Sequence, residues 1–339
     1  MKSLLLETSQ NNNIASTQLT HRITIAWSIS ECALGGIMHT VQSPFTGLIV
    51  GGLSVLFIAL IAFHAEKPAT EILKSVVFVL GIKLAISPHA PIGAFFAVAL
   101  QASLGALFFH VIRNFTIAAL FTAILSLVLS AIQKIIILTI LFGVNFWEAI
   151  DQFSKSLITR LSISEIDFSL SNWLIFSYIG LYTIGGLIVG IISTKLPSLF
   201  HRNAKQLDER IASFPSLNLE QKTTHSPKRK WIMLLLIILV VLFIQVLFLS
   251  YESAITQLVR TIIIISVWLI IARPVLAWGM KRIFHEKQAS LTSEIEAVQV
   301  RIPILIGFGQ FAWKHRKQGS GYPFTNFMTL YLYYAIYKL

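Results

Sequence analysis

Several ionisable and amide side chains interrupt stretches of this chain that are otherwise apolar: Glu31, His39, Gln42, Lys83, Gln101, Gln133, Lys134 and Arg260. If those stretches cross a bilayer, a lysine or arginine among them costs about 2.5–3.5 kcal/mol at the membrane centre on insertion scales. These polar groups are therefore expected to turn towards a partner or a cavity rather than lipid. Ammonium groups there would meet an anion, and amides would orient it through hydrogen bonds. Lys83, Lys134, Gln101, Gln133, His39, Gln42 and His89 are the candidate solute-binding set, with Lys134 the main partner of an anionic group and Lys83 guiding its access. Structural readings stand beside this one. Lys83 can snorkel towards headgroups from near a helix end, Glu31 can pair with either lysine, and the glutamines can bond neighbouring helices.

Other chemistries have little to work with. Only Asp151, Asp167 and Asp208 among the 15 acidic residues are aspartates, which argues against clustered-carboxylate metal sites. The single cysteine, Cys32, leaves no intrachain disulfide and no CxxC site. No G-x-x-x-x-G-K-[ST], HExxH or GxSxG motif occurs, so the chain lacks the usual apparatus for ATP hydrolysis, zinc proteolysis and serine hydrolysis. The expectation is a non-enzyme with no cofactor and no metal.

The elements that must position these groups follow from composition. Of 339 residues, 55% are hydrophobic and 12% charged, against about 25% charged in soluble domains. A spanning helix needs roughly 20 mostly apolar residues. Runs of that kind lie at 22–40, 44–63, 71–86, 91–112, 115–142, 173–194, 231–249 and 254–272. The fold class is therefore an all-α integral membrane protein: a six-helix N-terminal bundle, then a two-helix hairpin and a basic, Tyr-rich tail. The boundaries are 1–195 for the bundle, 196–230 for a basic cytoplasmic linker, 231–280 for the hairpin and 281–339 for a cytoplasmic or interfacial tail. In that tail, 291–299 reads as a short helix, followed by a stretch punctuated by Gly307, Gly309, Gly319, Gly321 and Pro323.

Charge sets the orientation. Residues 195–230 hold eight Lys/Arg and the tail after Met280 eight more, whereas the connections 41–43, 87–90 and 250–252 hold none. The positive-inside rule places the basic segments and both termini in the cytoplasm and those connections outside. The net charge of +12 is thus a sign of membrane orientation rather than of nucleic-acid binding. It places the protein in the cytoplasmic (inner) membrane as a multi-pass chain, with most of its intramembrane polar groups in the outer half.

Ser28, Cys32 and Gly36 repeat every four residues in the first span, a small-residue stripe that permits close helix approach. With the stretches SECALGGIMHTVQSPFTG and AISPHAPIGAFFAVALQASLGALFF, these features resemble the substrate-binding S component of energy-coupling factor (ECF) transporters over residues 22–194. The resemblance implies a six-span subunit that captures a vitamin-like solute from outside. Its partners would be a transmembrane coupling protein and an ATPase pair, with Ser28, Cys32 and Gly36 contacting the coupling protein. The chain departs from that family by its residues beyond 194, and Ala272-Arg273-Pro274 is not the Ala-Arg-Gly coupling signature. Two other classes stay open: a membrane scaffold or assembly protein without transport, and a lipid-acting enzyme using His39, His89 and Glu148.

Overall fold

The computed structural model describes residues 2–40, 45–87, 90–161, 170–214, 288–318 and 322–338, with a few single positions between 270 and 278. The described residues form nine helices and no strand: α1 (Lys2–Thr40), α2 (Thr46–His64), α3 (Pro68–Ile86), α4 (Ile92–Val111), α5 (Phe115–Phe142), α6 (Val144–Leu161), α7 (Leu170–Ala212), α8 (Gln288–Lys314) and α9 (Pro323–Tyr337). Among them, α2, α4, α5, α7 and α8 contain apolar runs long enough to cross a membrane, by length and composition. The chain is an all-α, multi-pass membrane protein. The expected hairpin at 231–249 and 254–272, with Arg260, falls almost wholly outside the described residues.

Local chemistry explains where several helices start and stop. Pro68 opens α3 in the first turn, where its missing N–H donor costs nothing. Asn114 caps α5 by accepting from the Ile117 N–H at 3.2 Å. Gly143, at φ 60°, ends α5 in a backbone conformation that L side chains rarely adopt, and α6 starts at once.

Three features depart from the sequence expectation. The stretch 143–172, which holds no apolar run of spanning length, contains α6, because Phe146, Trp147, Ile150 and Phe153 recur at helical spacing opposite Glu148, Asp151 and Lys155. Helix α7 does not stop at 194 but runs on through Lys195 and Pro197 to Ala212, so the composition break is not a break in the helix. In the tail, α8 is continuous from Gln288 through Pro303, Gly307 and Gly309, and its later part is one of the membrane-length apolar runs.

Helix α2 is the central element, with nearly every residue from Val50 to Ala62 buried. Helices α5 and α7 approach closely where glycine removes side-chain bulk: a Cβ on Gly186 would stand 2.7 Å from the Ile124 Cα. The outward faces are apolar. Phe96 and Leu107 on α4, Phe121, Ile136 and Ile140 on α5, and Phe176, Ile184, Leu187 and Ile188 on α7 are all exposed. A bilayer solvates such surfaces, whereas water does not tolerate patches of this extent.

Helices alternate in direction, so the ends of α1, α3 and α5 gather with the starts of α2 and α4. At the opposite end, α8 and α9 pack against α1, α3 and the last turns of α7. There Phe200, Leu207, Phe308, Tyr333 and Ile336 join the same apolar cluster as Ile23, Trp27 and Ile72. Phe308 stacks on Tyr334 at 3.8 Å, and Phe214 meets both Phe308 and Phe311 edge-on. Arg22 donates to the Tyr337 carbonyl at 3.2 Å, tying α1 to the end of α9.

Candidate functional site

The end opposite the aromatic cluster holds a cavity of about 810 Å³. Its wall is built from the last turns of α1, α3 and α5, the first turns of α2 and α4, and Tyr182 of α7. Lys83, Lys134, Gln101 and Gln133, four of the expected site residues, all line it, together with Glu31. Val50, Val98, Ile137, Leu138 and Leu141 supply an apolar lining. An open, mostly apolar space with a few convergent polar groups is the usual form of a small-molecule site.

The two lysines have different surroundings. Lys83 Nζ donates to Glu31 Oε2 at 2.6 Å, with both side chains 2% exposed or less. Ser54 of α2 donates to the other Glu31 oxygen, and the Lys83 ammonium also lies 5.7 Å from the Phe95 ring. This buried pair cancels the charge of the two most polar apolar runs, which is why α1 and α3 fit the bundle although neither qualifies as a spanning segment by composition. Lys134, half-buried on α5, makes no ion pair or hydrogen bond with any described residue. Its ammonium is the cavity's uncompensated positive charge among those residues.

The glutamines are held by neighbouring helices. Gln101 Nε2 donates to Ser130 Oγ at 3.2 Å, and Ser130 Oγ donates to the Ser126 carbonyl at 2.9 Å. Gln133 Nε2 donates to the Gly93 carbonyl at 2.6 Å, joining α5 to the first turn of α4. Two glycines make room for these amides: a Cβ on Gly51 would stand 2.6 Å from Gln101 Nε2, and one on Gly93 3.1 Å from Gln133 Nε2.

The remaining expected residues fall elsewhere. Gln42 and His89 lie outside the described residues, as does the side chain of His39. Glu148 is exposed on α6. In the small-residue stripe, Ser28 and Cys32 are buried inside the bundle at 0% and 5% exposure, and Ser28 donates to the Thr24 carbonyl. Gly36 is half-buried and lines the cavity. The stripe thus packs within this chain at its first two positions.

Sequence reasoning passed over Ser54, Ser130, Tyr182 and Gly93. Ser130 stands three and four residues before Gln133 and Lys134, a helical spacing that puts it on their face of α5. Gly93 carried no signal of its own. No protein-family model, no curated protein and no solved structure matches the chain.

Proposed function

We propose that this protein is the solute-capturing subunit of an uptake system, similar to the S component of an ECF transporter, and that its cavity binds a small, anionic, vitamin-like solute. It is not itself an enzyme: a transmembrane coupling protein and an ATPase pair would supply energy. The observation that carries this reading is the contrast between the lysines. Lys83 is neutralised by Glu31, while Lys134 stands on the cavity wall with no anionic partner among the described residues. An ammonium in so apolar a setting is stabilised when an anion meets it. The basic segments at 195–230 and after Met280 support an orientation with both ends in the cytoplasm of an inner-membrane protein and the cavity opening outward.

The reading is tested by native mass spectrometry of the full-length protein released from detergent. A bound small molecule carrying a carboxylate or phosphate, lost on Lys134→Gln, is the expected result. A neutral or cationic molecule retained equally by both forms would overturn the proposal.

A further inference from the structure

The cavity's hydrogen-bonding polarity carries a second deduction, resting on the reading of a captured anion. A carbonyl oxygen only accepts hydrogen bonds. Gln133 lies against the Gly93 carbonyl at 2.6 Å, so the group it presents there must be its NH₂, whichever way the amide is drawn. Its Oε1 is thereby assigned, and it makes no bond with a described residue.

Gln101 is arranged in the same way: its Nε2 donates to Ser130 Oγ, which in turn donates to the Ser126 carbonyl. That leaves Gln101 Oε1 buried with no partner, in a side chain 3% exposed. Both amides line the cavity, and both have already used an N–H on the protein. Glu31, the carboxylate on the wall, is occupied by Lys83 and Ser54.

We infer that the solute is a hydrogen-bond donor as well as an anion: an organic acid carrying an amide, ureide or ring N–H, whose anionic group meets Lys134 and whose N–H meets the Gln133 carbonyl oxygen, with Gln101 Oε1 a second acceptor behind it. Gln133 and Lys134 line the same cavity, so one small molecule can meet both. A simple fatty or keto acid satisfies the lysine but leaves the amide oxygens without partners, which is unfavourable in a low-dielectric site. A phosphate ester without N–H groups does the same.

The test uses full-length wild-type protein in detergent and a library of small carboxylates, in which each N–H acid is paired with its N-methylated twin, such as orotate with N,N′-dimethylorotate and indoleacetate with N-methylindoleacetate. Binding is read by calorimetry and by the shift of the thermal unfolding midpoint. The expected result is that the acids that bind do so at least about tenfold more tightly than their methylated twins, the scale of one buried hydrogen bond. Gln133→Leu should abolish that preference while retaining carboxylate binding. If carboxylates bind and the twins bind equally well, the donor inference is overturned and the anionic reading stands. If no carboxylate in either form binds, the solute is not an organic acid and this inference is overturned, while the anionic reading rests on the mass spectrometry of the retained molecule. Because the twin comparison is made on wild-type protein, it holds even if the variant does not fold.

Discussion

At one end of the helices, Glu31, Lys83, Gln101, Gln133 and Lys134 line open space. At the other, Phe200, Phe214, Phe308, Phe311 and Tyr334 fill the space between α7, α8 and α9 with rings. The same helices α1, α3 and α7 reach both ends, so the contrast comes from the side chains they present rather than from separate domains. Rings packed edge-on and stacked give α1, α7 and α9 a fixed mutual position. Around the cavity, glycines at 51 and 93 give amides space, and helix contacts are made by hydrogen bonds and an ion pair. The aromatic end supplies packing, the Glu31–Lys83 pair neutralises buried charge, and ligand chemistry falls to what the pair leaves over.

The sharpest way to break this division is to remove one member of the buried pair. Glu31→Leu leaves the Lys83 ammonium buried without its counter-charge and should destabilise the protein by about 3–5 kcal/mol. A detergent melt should show the loss, and Glu31→Leu combined with Lys83→Met should recover most of it. If the double variant is as unstable as the single one, the pair is not what accommodates charge in α1 and α3.

Phe308→Ala should cost about 3 kcal/mol, because a fully buried ring stacked on Tyr334 is replaced by a void. Solute affinity should be unchanged, measured on protein below its melting range. A large change in affinity would show that the two ends are coupled and that the division drawn here is wrong.

Between the two ends, Gly186→Val should cost about 1–3 kcal/mol through overpacking, since its side chain would meet the Ile124 backbone. An unchanged melt would mean that α5 and α7 can separate without penalty. The smallest loss belongs to Lys134: Lys134→Gln should lower the melt of solute-free protein by no more than about 0.5 kcal/mol, because no described residue depends on it.

The cavity residues were legible because of what they cost. Lys83, Lys134, Gln101 and Gln133 stood out as polar groups in apolar runs, and all four line one cavity. Which lysine Glu31 would take was not legible: the partners are 52 positions apart in sequence, and both arrangements satisfied the same charge count. Helix α6 was hidden because Glu148, Asp151 and Lys155 read as loop charges, although Phe146, Ile150 and Phe153 already had helical spacing. In α8, Gly307 and Gly309 read as punctuation. The buried Leu305, Phe308 and Ala312, three and four residues apart, hold the helix through them by packing. Tertiary burial outweighed local propensity there, and a single sequence does not show the surface that supplies it.

The central claim is that Lys134, and not Lys83, is the charge that meets the solute. It is tested most directly by equilibrium binding of the small molecule that co-purifies with wild-type protein, measured on wild type and Lys134→Gln in the same detergent. The account predicts a loss of affinity of about 10- to 100-fold, the scale of one charge-assisted contact, with the solute-free melt unchanged. Equal affinity in the two proteins would contradict it and leave Lys134 without a role in binding.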